Sequence, residues 1–287
     1  MGLFHLSKKS RDRKRKNTFA SILAIFLIIL FAVPVGLYLS DGFVAKHFAR
    51  ELPDANDLLD NVNNIKYEGK TPDKLSAVDT YLVACKILDD QEYYKITTSG
   101  MIDAQLTTQT VSSSFIKDGP LYSCETFSSG MINVASKAEY IENGDVVLFD
   151  GKKTSDSAYA WNNNTSVSYD YYKNYYGRDA KSYWSYIVSS KTVLAQTKCS
   201  EENGLYTFTI SLDPITSTII YKNAIKLNSG LKSDPEFNSI QITFTVDKDF
   251  VFKSLYVKES DIMNYVGVKV TISCFNTPIK SEFCYEK

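Results

Sequence analysis

Leu205–Leu212 reads LYTFTISL, and Ile240–Val246 reads IQITFTV. In the first stretch Tyr206, Phe208, Ile210 and Leu212 alternate with Thr207, Thr209 and Ser211. In the second, Ile240, Ile242, Phe244 and Val246 alternate with polar residues. A period of two places successive side chains on opposite faces of a strand, so each stretch reads as a strand with one apolar and one polar face. Such strands belong to antiparallel sheets with one face packed and one wet. Asn203-Gly204 precedes the first stretch as a hairpin signal, and Asp247-Lys248-Asp249 turns the second into residues 250–258.

The same grammar extends towards the N-terminus. Residues 95–117 are rich in Thr, Ser and β-branched residues, with Gly100 as an interruption. Pro120 opens a strand reaching Phe127. Residues 131–141 and 145–150 flank Glu142-Asn143-Gly144, and Asp150-Gly151 is a further turn signal. Val266–Cys274 supplies the last clear strand. Three helices interrupt the meander. Thr71-Pro72-Asp73 offers an N-cap and a first-turn proline for a helix running to Asp90. In it Leu75, Val78, Leu82, Cys85 and Leu88 recur three or four apart. Residues 179–190 read as a second helix, and Pro214 starts a third that stops at Asn228-Ser229-Gly230.

Thr18–Leu39, TFASILAIFLIILFAVPVGLYL, is 22 uncharged, mostly apolar residues, preceded by KKSRDRKRK at 8–16. A helix of that length covers about 33 Å, enough for a hydrocarbon core of about 30 Å. Seven Lys/Arg against one Asp place the short N-terminal side in the cytoplasm. The length and the absence of a small-residue cleavage pattern favour an uncleaved anchor over a signal peptide. The expected plan is a cytoplasmic basic tail at 1–17, a transmembrane helix at 18–39, a tether at 40–70 and an extracytoplasmic β-rich domain at 71–287. Within the tether, Leu52, Leu58, Leu59, Val62 and Ile65 suit a weak amphipathic helix. The fold class is therefore α+β: an N-terminal membrane helix, then a predominantly antiparallel β domain in a cell-envelope location.

Whole-chain charge is −1, which hides an asymmetry. Removing the tail's seven basic residues and one acid leaves 25 basic and 32 acidic residues. An acidic exterior excludes electrostatic capture of nucleic acid. The only histidines are His5 and His47, both before residue 71. That excludes Ser-His-Asp and Cys-His catalysis in the outer domain and argues against a His-bearing zinc site. Paired carboxylates such as Asp145, Asp150, Asp170 and Asp179 remain the one catalytic option, and they form no motif. The chain reads as a binding protein that is not an enzyme and uses no cofactor. Of five cysteines, Cys85, Cys124, Cys199, Cys274 and Cys284, at least one lacks an intrachain partner; Cys274 and Cys284 could close a short C-terminal loop. Arg178 is the only arginine after residue 50.

Ten aromatics fall between Tyr159 and Tyr186, including both tryptophans, Trp161 and Trp184. Aromatics carry large burial area, so this stretch packs over a sheet, rims a ligand cavity, or does both.

The order of elements resembles the LolA/LppX-like lipoprotein-carrier superfamily. The likeness starts in the helix from Thr71 and the strand KITTSGMIDAQL. It continues through LYSCETFSSG, VVLFDG and the central helical segment, then YTFTISLD and ITFTVDKDFVFKSLYV, spanning residues 70–280. The resemblance implies a curved half-barrel sheet covered by helices, with an apolar space that holds acyl chains. The expected partners are the bilayer, through residues 18–39, and a lipid or lipidated envelope component. The contacts expected are Tyr206, Phe208, Ile210, Ile242 and Phe244, with Trp161 and Trp184 at the rim. Two other readings compete: a non-catalytic interaction module of an envelope complex, and a polysaccharide-binding domain. Both would use the aromatics around Tyr169–Tyr176.

Overall fold

Alternation becomes a ladder in the computed structural model, which describes residues 53–104, 107–129, 134–155, 158–229, 235–265, 268–273 and 279–287. The anchor expected at Thr18–Leu39, with the basic tail before it, lies outside the described residues. Among the described residues no helix is long and apolar enough to cross a membrane. Pro53–Lys287 forms one compact unit.

Its first half is a meander of β1 (Tyr93–Ala104), β2 (Thr107–Asp118), β3 (Leu121–Ser129), β4 (Val134–Ile141), β5 (Asp145–Ser155) and β6 (Ala158–Ser168). Its second half holds β7 (Val193–Gln196), β8 (Ser200–Glu202), β9 (Leu205–Leu212), β10 (Glu236–Asp247), β11 (Phe252–Tyr265), β12 (Val268–Ser273) and β13 (Ile279–Cys284). All thirteen strands described belong to one open sheet; eleven follow the order β6-β5-β4-β3-β2-β1-β12-β11-β10-β9-β7, β8 pairs β9, and β13 pairs β1 and β11. β12 and β13 share one lane between β11 and β1: β13 pairs Lys95–Ser99 of β1 and Ser254–Val257 of β11, while β12 pairs Ser260–Tyr265 of β11. The C-terminal ribbon thus joins the two halves of the sheet. Every pairing is antiparallel.

Local chemistry sets the hairpins. Asn203 and Gly204 both take positive φ, 54° and 76°, as a two-residue primed turn requires. Asn143 likewise sits at φ 68° between β4 and β5. Asp150-Gly151 makes no turn; it lies inside β5. There a Cβ on Gly151 would come within 2.6 Å of the Ala135 side chain and 2.8 Å of the Trp161 ring. The glycine is there to admit a tryptophan from the next strand.

Directly paired residues share a face of the sheet. The pairs run in one row from Thr126 through Ser113, Thr98, Ser281 and Leu255 to Phe244 and Phe208. This row marks the inner face. On the outer face of β9 and β10, Thr207 pairs its hydroxyl with Thr245 and Thr209 with Thr243, each at 2.9 Å.

Three helices cover the inner face: α1 (Ala77–Asp89), α2 (Tyr169–Tyr176) and α3 (Ile219–Ser229). Ser76 caps α1, its Oγ accepting from the Asp79 amide at 3.0 Å. The cap expected at Thr71 is displaced because Thr71 donates to the Asp73 carboxylate and opens only a 3-10 turn, Pro72–Lys74. α1 buries Ala77, Tyr81, Val83, Ala84 and Leu88 in the main core, with Tyr94, Ile96, Phe115, Phe208, Phe244 and Phe252 of the sheet. α2 covers a smaller cluster of Tyr140, Val146 and Tyr172.

The helix expected at 179–190 does not form. The Asp179 carboxylate accepts from the Lys181 amide at 2.8 Å, and Ser182 Oγ accepts from the Trp184 amide at 3.2 Å. Such local side-chain bonds offer the backbone an alternative to the helix. Helix forms upstream instead, where Ser168 caps α2 and Gly177, at φ 63°, ends it. Residues 178–192 become an irregular strap across the inner face. Residues 53–70, expected as the end of a tether, are fastened to the strap. Two 3-10 turns, Ala55–Leu58 and Val62–Asn64, replace the expected helix. Asp60 accepts from the Ser190 amide at 2.6 Å and its hydroxyl at 2.9 Å. Cys85, Cys124, Cys199 and Cys284 are free thiols; Cys274 lies outside the described residues.

Candidate functional site

Where the strap crosses the sheet it leaves a cavity of about 270 Å³. Its floor comes from β3, β2, β1, β13, β11 and β10, its roof from the strap, and one wall from Tyr81 of α1. The volume falls just below the usual small-molecule range of roughly 300–1,000 Å³.

Strand order divides this cavity by polarity. On the β11–β10 side the floor is Leu255, Val257 and Ile242, faced by Tyr81 and Trp184. On the β3–β1 side it is Thr126, Ser113, Thr98 and the apolar Val111, with Ser281 and Ile279 of β13 between the halves. One row of the sheet thus changes from hydroxyl-bearing to apolar at the β13–β11 boundary. Tyr183 lies over the boundary between the two parts. Its hydroxyl lies 2.9 Å from Thr98 Oγ1 and 2.5 Å from Ser281 Oγ, and those two are 3.1 Å apart. Burial pushes the Tyr183 phenol up, so it stays neutral.

Arg178 is the only charged residue among those lining the cavity. Its Nη2 donates to Cys124 Sγ at 3.4 Å. The electrostatic influence of Cys124, against the opposing effect of burial, raises its pKa, so the guanidinium remains charged. The neighbouring Asp179 faces away: its carboxylate accepts from Tyr169 Oη at 2.6 Å and lies 3.7 Å from Lys173 Nζ.

A second polar group lies further along β11. Glu259 and Asp261, 6% and 1% exposed, sit on the inner face beyond Val257. Glu259 accepts from Tyr186 and Tyr221, whose rings border the cavity. Burial raises its pKa, opposed by these two hydrogen bonds. Asp261 Oδ1 is buried with no hydrogen-bond partner. Burial first, then the Glu259 charge, pushes Asp261 up to about 7. No three His, Cys, Asp or Glu side chains converge as metal ligands among the described residues.

Of the contacts expected from sequence, Trp184 and Ile242 line the cavity. Phe208, Ile210 and Phe244 are buried in the core and do not line it. Tyr206 is half-buried against the same core, also away from the cavity. Trp161 lies on the opposite face. It pairs with Gly151, whereas the adjacent Asp150 shares a row with Ser136 and Thr126. Trp161 packs instead against Phe127 and Tyr159. The physical reason is parity: one step along β6 changes the face. The polar half of the cavity was missed. Its one advance signal was Arg178, the single arginine in a lysine-rich domain.

No protein-family model and no curated protein matches the chain. Among solved structures it is similar to the lipoprotein LppX of Mycobacterium tuberculosis, at 10% identity and a TM-score of 0.33. The match covers 72% of this chain and 92% of that one. This is a weak likeness at the level of the fold, too slight to carry an argument about function.

Proposed function

We propose that this domain is an extracytoplasmic binding module for an apolar chain, held at the membrane by an anchor at Thr18–Leu39 and performing no catalysis. The observation that carries the reading is the cavity between sheet and strap, walled on one side by Tyr81, Trp184, Ile242, Leu255 and Val257. These side chains come from four separate segments, so the space is formed by the whole fold. At about 270 Å³ it has room for one short chain. Photo-crosslinking of the full chain in membranes with a neutral, diazirine-bearing dodecanol tests this. Adducts are expected on peptides carrying Trp184 and Val257, and Val257→Trp should suppress them by filling the space. Adducts absent from those peptides, or unchanged in the variant, would refute the reading.

One observation favours a second role on the outside of α2. Tyr171 and Tyr175 are half-exposed and stacked, with centroids 5.3 Å apart and planes 11° apart. A flat pair of rings suits a protein partner or a sugar face in the envelope. Replacing both with Ser should release that partner or glycan from the full chain without altering dodecanol labelling. Retention of every co-purifying component would remove this second role.

A further inference from the structure

The ligand's head group can be read from the polar half of the same cavity, an inference that rests on the apolar-chain reading above. An arginine carries five N–H donors in a rigid fork. Among the described residues the one hydrogen-bond acceptor of Arg178 is Cys124 Sγ, a weak one, and no carboxylate pairs with it. Its sequence neighbour Asp179 is committed to α2 and to Lys181. Arg178 is partly withdrawn from water; a charge so placed without a counter-charge carries a desolvation cost, and a bound anion offsets it. The surroundings suit an anion. The cavity lining contains no acidic residue, and the hydroxyls of Thr98, Tyr183 and Ser281 line the same space. Arg178 is close enough to Tyr183 for its charge to lower that phenol's pKa against the larger effect of burial.

We infer that the cavity takes an anionic amphiphile, with a carboxylate or phosphate at Arg178 and the hydroxyl cluster and an apolar chain along Leu255, Val257 and Ile242. The fork of a guanidinium matches the paired oxygens of either head group. The chain direction follows from strand order, since the head group lies over β3–β1 and the tail over β11–β10.

Trp184 reports occupancy directly. In Trp161→Phe full chain, held in amphipol, it is the only tryptophan. Bromine on an alkyl chain quenches it at short range. 11-Bromoundecanoate and 11-bromoundecanol share a chain and differ in the head group. The acid is expected to quench at a concentration at least about tenfold lower, as a charge-assisted pair should give. Adding Arg178→Gln should abolish that ratio by weakening the acid far more than the alcohol, while Arg178→Lys should keep part of it. Equal affinity for acid and alcohol in the parent, or a ratio that survives Arg178→Gln, would overturn the inference and leave the apolar-chain reading standing. No quenching by either compound would overturn both. Displacement of the acid by millimolar inorganic phosphate would overturn the amphiphile and assign the site to a free anion. The parent comparison needs no Arg178 variant, so a misfolded variant does not spare the inference.

Discussion

The rings of Tyr81 and Trp184 meet edge to face, with centroids 5.5 Å apart and planes at 63°. Tyr81 belongs to α1 and Trp184 to the strap, so this contact joins helix and strap where both line the cavity. Tyr81 also meets Phe244 at 5.3 Å and Phe252 at 5.7 Å, both edge to face. One residue therefore ties the helix to the strap, β10 and β11. Tyr81→Ala should destabilise the fold by about 3–5 kcal/mol, as other large-to-small aromatic changes in cores do. Thermal unfolding checks it; a loss below about 1 kcal/mol would place the joint elsewhere.

Two glycines separate backbone strain from crowding. Gly119 and Gly177 both hold positive φ, 57° and 63°. A Cβ on Gly119 would meet nothing within 4 Å, whereas one on Gly177 would come within 2.9 Å of the Ala224 amide nitrogen on α3. Gly119→Ala should cost about 1 kcal/mol for the left-handed conformation. Gly177→Ala should cost a further ~1–3 kcal/mol, because α3 must shift. Equal losses in denaturant titrations would mean α3 yields freely.

Helix α1 depends on its cap. Ser76 Oγ accepts from the Asp79 amide and donates to the Asp79 carboxylate at 2.8 Å. Ser76→Ala should cost ~1 kcal/mol, and Thr71→Ala clearly less, because Thr71 makes no side-chain cap bond. The reverse order would restore the longer helix read from the sequence.

That error illustrates what the sequence held and what it did not. Strand alternation at Leu205–Leu212 and Ile240–Val246, and the Asn-Gly turns at 143–144 and 203–204, were legible because each is set by neighbours in sequence. The strap at 179–190 was not legible and read as a helix, because local bonds from Asp179 and Ser182 hold the backbone out of one. The site was half legible. Ile242 and Trp184, expected as contacts from their apolar character, line the cavity, whereas Thr98, Ser113, Thr126 and Ser281 join it only through the register of four strands. No local pattern distinguishes those hydroxyls from the many other Ser and Thr residues of the meander. Phe208, Ile210 and Phe244 share the right face but lie beneath α1, a distinction that depends on where a helix lands.

Asp261 gives the fold a pH dependence. Its pKa rises from 3.8 to about 7 on folding. Below pH 4 both states are protonated and the group is neutral in effect. Between about pH 4 and 7 the unfolded chain releases the proton and the folded chain holds it, so stability falls as pH rises. Above pH 7 the loss is constant, on the order of 4 kcal/mol. Asp261→Asn should therefore stabilise the protein at pH 8 and flatten this decline, while leaving stability at pH 4 little changed. Urea melts across this range test it, and an equal effect at both pH values would mean that the carboxylate's charge is not the cause.

Native mass spectrometry of the full chain, ejected directly from membrane vesicles, addresses the cavity itself. Parent protein should carry an added mass of one amphiphile that leaves on denaturation, and Val257→Trp, with the cavity filled, should fly bare. A bare parent, or an added mass retained by the filled variant, would contradict the binding role of the space beneath the strap.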